Sequence, residues 1–478
     1  MRSVLETDGY KLSMAEAGWP LRRETFYFGF RQGGPAVMPL DVAAHVRTLL
    51  PAATEADYDY LAAHGYPMGA GFRGAIGKTE LIRVDAIPAG AIFYPGEPAF
   101  SVTGPSALVS WLEPLVLQLH FRIQLASVAQ FEPEKLPSLL GAATCEPERT
   151  LIREVLDRAK VAVPSPGIDD GYRARVRETA AALVAAVGDG SRIFEVGMRS
   201  ASCPEQHLLA LEGCKQGGVT KTSNVFGAQK LGMTPVGTMG HEHVQRYGSD
   251  ALAFRAMRDR RPERSSYLLD TYDTLGQGLP AAYDLMLEEP KHGDSIRFDS
   301  GDKAAQLRVA DAKARTLGLE PIYVIEDGLN LERTRALEEV RRELHLAPER
   351  LFYGFGGELV SCPSEHKLTR DRVGAIWKLC ETANTPTMKF ANSPGKQSLP
   401  GRPVVWRRVS GSGPIGIVAQ NGETPPAGYV RLTGATQDLG GLDRNASVEH
   451  SAETKALEAS LTAKHFPPYR GPGHLHSA

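Results

Sequence analysis

Ser295-Ile296-Arg297-Phe298-Asp299-Ser300-Gly301-Asp302 is the stretch whose reading decides the fold. Its first half is a short strand, and its second half is a tight Ser-Gly bend carrying two carboxylates. Alternation along the strand sends Arg297 and Asp299 the same way. A cation and an acid thus emerge together at the carboxyl end of a strand, where a parallel α/β barrel places its chemistry. The same rhythm runs outward from Arg192. Short apolar strands at Ile193 to Val196, Val219-Thr220, Ser223-Asn224, Pro235 to Thr238, Ser266 to Leu269, Pro321 to Ile325 and Leu351 to Tyr353 alternate with helical segments. That alternation predicts βα units and a parallel sheet.

At 478 residues the chain is too long for one compact core, so two domains are expected. Upstream of the barrel pattern, Thr25 to Arg31 reads as an aromatic strand ending on a cation. Leu81 to Ile92 and Ala99 to Thr103 read as further strands, and Glu132 to about Gly188 as helical. Downstream of about residue 385, Val404 to Arg408 and Ile415 to Val418 read as strands returning to the amino-terminal unit. The expected division is 1–145, 146–385 and 386–478, with a loosely ordered tail.

Apolar residues make up 42% and charged residues 23%, with a formal charge of −2, which gives no support for binding nucleic acid or an anionic membrane. The longest apolar stretch, Ala107 to Ser127, carries Glu113, His120 and Arg122 and reads as a buried amphipathic helix, not a span. The amino terminus lacks an apolar signal region, so a cytoplasmic protein is expected. Five cysteines without a CxxC pair argue for reduced thiols.

The second informative segment is Gly237-Thr238-Met239-Gly240-His241-Glu242-His243. Polar residues at a strand end are one reading of it. Another is a zinc site, because His-x-His on a strand points both imidazoles one way, with Asp299 and His366 as further ligands of a barrel hydrolase. The third makes His241 a nucleophile oriented by an acid near phosphate ligands, and the surrounding Gly-Thr and the distant arginines favour it. Asp327-Gly328 and Gly354-Phe355-Gly356-Gly357 follow two late strands, the usual barrel position for backbone N–H groups that take phosphate. Lys367 to Asp371 reads as a surface turn or, if it faces the pocket, a pyrophosphate clamp. Ser393-Pro394-Gly395-Lys396 reads as a turn presenting a lysine.

Jointly these residues resemble the nicotinate and nicotinamide phosphoribosyltransferase family. The likeness runs from Thr7-Asp8-Gly9-Tyr10-Lys11 to about Arg407. It passes through Arg31, Pro95 to Pro98, Glu195 to Arg199, Thr222 to Val225, the His241 segment, Asp270 to Asp273, Arg297 to Asp302, the double glycine and Ser393 to Lys396. The resemblance implies an irregular, incomplete α/β barrel of type II phosphoribosyltransferase kind, plus an α/β sandwich built from both chain ends. It implies a homodimer with shared active sites, ATP and Mg2+ as cofactors, and nicotinate and phosphoribosyl pyrophosphate as substrates. By the same resemblance His241 is the phosphorylated histidine, Asp270 its orienting acid, and Asp299 the carboxylate beneath the ribose. Tyr10, lent by a neighbouring subunit, stacks on the pyridine. Arg199, Ser223, Thr238 and Arg297 line the base and ribose sites. Gly328, Gly356 and Gly357 bind the 5-phosphate, and Arg31 and Arg370 face pyrophosphate. No metal ligand set of the protein's own is implied.

Nicotinamide enzymes of the family carry aspartate where this chain has Ser223. An aspartate ~4 Å from a nicotinate carboxylate costs about 4 kcal/mol at an effective dielectric near 20, so serine favours nicotinate. The family's Phe-Gly-x-Arg-Arg is Val196-Gly197-Met198-Arg199-Ser200 here, and His243 is an added imidazole.

Overall fold

In the computed structural model, residues 2–161, 166–262, 265–288, 294–390, 397–432 and 447–466 are described. The segment Ser393 to Lys396 and the end of the tail lie outside them.

Seven strands form one parallel sheet in the order Thr234–Pro235, Lys221–Thr222, Ile193–Glu195, Leu351–Phe355, Ile322–Ile325, Ser295–Phe298, Ser266–Leu268. Alternation sets its two faces. Ile296, Phe298, Tyr323, Ile325 and Tyr353 point outward and are fully buried against the surrounding helices. Phe194, Lys221, Ser266, Ser295, Arg297, Ile322, Val324 and Phe352 point inward, and every one of the seven strands lines the same cavity. A flat sheet cannot do that, so the sheet curls round its contents. Its edge strands stay unpaired with one another, which makes the barrel incomplete, in agreement with the sequence reading.

The second unit is an antiparallel five-stranded sheet, in which Arg23–Phe30 lies between Ala375–Thr382 and Pro98–Pro105. The chain returns to this sheet already at Ala375, ahead of the expected boundary at 386. A further four-stranded sheet holds Pro403–Arg408 and Gly416–Gln420, the two strands read from the carboxyl-terminal sequence. The stretch 107–127 is not one amphipathic helix. It breaks into Ser106–Trp111, Glu113–Leu117 and Leu119–Phe131, with Pro114 opening the second, and is buried on nearly every side. Among the described residues, no helix is long and apolar enough to cross a membrane.

Helix Gly9–Ala17 joins the two units. The Gly9 N–H donates to the Ser223 carbonyl at 2.7 Å, and a Cβ at Gly9 would lie 2.3 Å from the Val236 carbonyl oxygen, so only glycine fits there. Beside it Lys11 is buried between Glu113 at 2.5 Å and Glu242 at 2.8 Å. Arg246 grips Glu24 through two buried hydrogen bonds of 2.8 and 3.0 Å. These pairs tie the sandwich to the barrel helix His241–Tyr247. Lys11→Met leaves two buried carboxylates facing one another, and a destabilisation of about 3–5 kcal/mol is expected, read as a lowered midpoint in urea unfolding. Lys11→Met with an unchanged midpoint would remove this cluster from the fold's stability.

Candidate active site

The barrel's interior and the sandwich enclose a cavity of about 710 Å³. The size suits a nucleotide-scale ligand. Each predicted site residue except Asp270 appears in its lining: Tyr10, Arg31, Arg199, Ser223, Thr238, His241, Arg297, Asp299, Gly328, Gly356, Gly357 and Arg370. Asp270 sits just behind, fully buried.

His241 opens the helix His241–Tyr247, directly after Gly240. This corrects the strand reading of His241-Glu242-His243. Residues two apart on a helix diverge by about 200°, so the two imidazoles part. His243 turns into the core, where its Nε2 lies 2.9 Å from the Ala253 carbonyl. His366 sits elsewhere, against Phe121 and Glu148. The zinc set of His241, His243, Asp299 and His366 is therefore not assembled.

The His241 ring has Nδ1 at 3.2 Å from Thr271 Oγ1. Its Nε2 faces Lys389 Nζ at 2.5 Å, Asp299 at 3.4 Å and Asp270 at 3.7 Å. Burial and the Lys389 ammonium outweigh the two carboxylates and pull the imidazole down to about 4, so the ring is neutral at physiological pH. Asp270 is too far for a direct hydrogen bond to the ring. It accepts instead from Ser300 at 2.6 Å and is drawn down, against its burial, chiefly by Lys389 and next by His241. Asp299 is burdened by desolvation, yet His241, Arg297 and Lys389 together hold it well below the usual carboxylate range. It stays ionised with part of its side chain open to the cavity.

Arg297 donates to Thr238 Oγ1 at 2.5 Å and pairs with Glu326 at 3.3 Å. Arg199 pairs with Asp8 at 3.4 Å and lies 5.4 Å from the Tyr10 ring centroid. Tyr10 belongs to this chain's own cavity and donates its hydroxyl to Glu113. Helix Gly9–Ala17 docks against the barrel of the same chain and brings this Tyr10 to the cavity wall. Ser223 donates to Asp8 at 2.6 Å. The carboxylate missing at position 223 is thus restored from the amino terminus, a pairing across 215 residues of sequence. Burial raises the Asp8 carboxyl above its ordinary range, against the pull of Arg199.

Gly328 adopts φ +64°, which opens a backbone loop beside Asp327. Across the cavity mouth, Ser200 Oγ is 4.0 Å from where a Cβ would stand on Gly356 or Gly357. Asp371 and Arg370 also line the cavity, whereas Lys367 does not. Phe194 and Phe352 stack 5.4 Å apart in the cavity wall, with Lys221 Nζ over both rings.

Asp8, Glu326, Lys378 and Lys389 are among the lining groups that escaped the sequence reading. Lys378 lies on Ala375–Thr382, and a lone lysine in an apolar strand was the signal for it. Burial, then the neighbouring Lys389, lowers its ammonium to about 7.

A curled parallel half-barrel whose cavity gathers an acid, a neutral histidine and cations from both units has the type II phosphoribosyltransferase fold. Residues 191–404, which include the strands of the half-barrel, match the model of the "Nicotinate phosphoribosyltransferase (NAPRTase) family". A Bos taurus nicotinate phosphoribosyltransferase is 25% identical over 404 residues, covering 72% of this chain and 64% of that protein, a little under two thirds of its length. One from Mycobacterium tuberculosis is 26% identical over 417 residues, covering 85% of this chain and 76% of the relative. Among solved structures, a putative nicotinate phosphoribosyltransferase from Saccharomyces cerevisiae shares the fold, with a TM-score of 0.60 and 18% identity, covering 83% of this chain and 95% of that one.

Proposed function

We propose that this chain is a nicotinate phosphoribosyltransferase acting in NAD salvage. It would move the 5-phosphoribosyl group from phosphoribosyl pyrophosphate to the ring nitrogen of nicotinate, yielding nicotinate mononucleotide and pyrophosphate. ATP hydrolysis would be coupled through phosphorylation of His241. The observation that carries the reading is the ionised Asp299, held between the neutral His241 and the cations Arg297 and Lys389.

Breaking the ribose–pyrophosphate bond puts oxocarbenium-like charge on the sugar, and a fixed carboxylate beneath it stabilises that charge without reorganising. Arg199 and Arg297 offer guanidinium forks to the nicotinate carboxylate. Arg31, Arg370, Lys378 and Lys389 offer charge to the departing pyrophosphate. The loops at Gly328 and Gly356-Gly357 offer backbone N–H groups to the 5-phosphate. The carboxylates of Asp270 and Asp299, whose oxygens lie within 4.8 Å of each other and of a His241 nitrogen, fit Mg2+, an oxygen-seeking ion that would neutralise phosphate charge there. With a pKa near 4, His241 keeps a lone pair for phosphoryl transfer at neutral pH.

A second reading, nicotinamide as the base, is favoured by one contact: Asp8 against Ser223 supplies an acceptor for an amide NH₂. The deciding experiment follows mononucleotide formation with phosphoribosyl pyrophosphate and Mg2+, comparing the two bases with and without ATP. ATP-enhanced turnover of nicotinate supports the proposal; turnover of nicotinamide alone shifts the base; no product from either rejects the reaction.

Sandwich and barrel residues of one chain line the cavity together, which favours a site completed in cis over one shared between subunits. Mixing Asp299→Ala, impaired in the transfer step, with Lys378→Met, impaired in binding phosphoribosyl pyrophosphate, is therefore expected to restore nothing, even after unfolding and joint refolding. Recovered activity in the mixture would show that subunits exchange these residues.

Lys378 gives a pH prediction. An ammonium titrating near 7 loses charge as pH rises through that value, so the KM for phosphoribosyl pyrophosphate should climb between pH 7 and 9. Lys378→Arg should flatten that climb, since guanidinium stays charged. A wild-type KM flat across this range would remove Lys378 from the pyrophosphate site.

A further inference from the structure

Cys145 and Cys203 lie 58 residues apart in sequence, yet their sulfurs are 4.0 Å apart. Each directly precedes a long helix, Glu146–Ala159 and Pro204–Gln216 respectively, so two helix amino termini converge on one thiol pair. Buried Glu148 cross-ties the two termini. It accepts from the Thr144 N–H at 2.5 Å, from Thr144 Oγ1 at 2.7 Å, and from the Ser202 hydroxyl. The proposed reaction uses neither cysteine.

We propose that Cys145 and Cys203 form a reversible disulfide on exposure to hydrogen peroxide, and that this bond adjusts the base site. Three features support it. The sulfurs need to approach by about 2 Å to reach bonding distance, a shift shared between rotation of the half-buried Cys145 side chain and a small movement of the chain at Cys203. Cys145 is the more accessible of the two, while Cys203 is buried. The hydrogen bond between the sulfurs favours charge on Cys145 at the expense of Cys203, which stays a thiol. Cys145 is thus the attacking sulfur and Cys203 the resolving one.

The chemistry balances. The Cys145 thiolate, its proton released to solvent, attacks one peroxide oxygen. The O–O bond breaks, leaving a sulfenic acid and hydroxide, which takes up a proton to become water. The Cys203 sulfur then attacks the sulfenic sulfur, the S–O bond breaks, and the departing hydroxide leaves as water with the Cys203 proton. Two thiols lose two electrons, and one peroxide becomes two waters. A dithiol reverses the reaction.

The position gives the bond its consequence. Helix Glu146–Ala159 packs on Leu119–Phe131, on the sandwich side, whereas Pro204–Gln216 packs on Tyr172–Val187 beside the barrel. Cys203 also ends the loop that begins at Arg199. Drawing the sulfurs together pulls on that loop, and with it on the guanidinium facing the base.

The test treats the full chain with hydrogen peroxide, digests it without reductant, and identifies linked peptides by mass spectrometry. A Cys145–Cys203 peptide pair is expected, reversed by dithiothreitol and absent from both Cys145→Ser and Cys203→Ser. In Cys203→Ser, Cys145 should instead run on to sulfinic acid. Peroxide that leaves both thiols free, or that modifies only Cys362, overturns the proposal, and this readout is independent of the enzyme's substrate. In the assay, oxidised wild type should show a KM for nicotinate raised several-fold, restored by reductant, with Cys145→Ser unaffected. Complete linkage with an unaltered KM overturns the coupling to the base site.

Discussion

His241→Ala is expected to abolish ATP hydrolysis and to lower ATP-stimulated mononucleotide formation by about 10²-fold, the scale for a group that takes direct part in transfer. The ATP-free rate should change little, because the ribose and base contacts are made by other residues. The pH dependence follows from the ring's environment. Burial first, and the Lys389 ammonium second, hold its pKa near 4 against an ordinary 6.5. The wild-type ATP effect should therefore persist at pH 5 and fail only as pH drops toward 4. Lys389→Met removes one of the two causes and should move that acid limit upward. The stability linkage has the same origin. Between pH 6.5 and 4 the unfolded ring binds a proton that the folded ring refuses, so the folded protein loses stability as pH falls through this window. His241→Ala should remove that component from the acid-unfolding profile. ATP stimulation that survives in His241→Ala would sink the phosphohistidine assignment while leaving the transfer reaction standing.

Most of the barrel was legible because strands such as Ile193–Glu195, Ile322–Ile325 and Leu351–Phe355 are short, locally apolar runs followed by polar residues at a fixed end; Lys221–Thr222 has no such run, and the strands read at Val219-Thr220 and Ser223-Asn224 fall on either side of it. Arg297 and Asp299 could be set facing the same way from alternation alone, and both line the cavity. The polar and zinc readings of the His241 segment set it on a strand, because seven residues buried on nearly all sides carry no amphipathic period to mark the helix they form. Asp8 was quoted in its motif, but its contact with Ser223 depends on how two remote segments dock. Lys378 and Lys389 were missed for a related reason. A lysine read alone is a solvated side chain by default, and only the return of Ala375–Thr382 to the sandwich sheet turns one of them into the cavity.

Asp299→Ala should be the most damaging single change to the transfer itself, lowering kcat/KM by about 10²–10³-fold, as when a preorganised group aimed at developing charge is removed. The fold should tolerate it. The side chain is 25% exposed and packs into no hydrophobic cluster, so a shift in unfolding midpoint comparable to that of Lys11→Met is not expected. Asp299→Asn separates charge from shape. It keeps the volume and one acceptor while discarding the negative charge, and it should lose nearly as much activity as the alanine variant. The KM for nicotinate should stay near wild type in both, because the base is held by Arg199 and Arg297. Acid pH should not mimic the substitution. The cations around Asp299 keep it ionised well below the range in which His241 protonates, so an activity loss near pH 4 belongs to the histidine. If Asp299→Asn retains wild-type turnover, the carboxylate's charge is not what stabilises the ribose, and Glu326, which pairs with Arg297 in the same cavity, becomes the group to replace next.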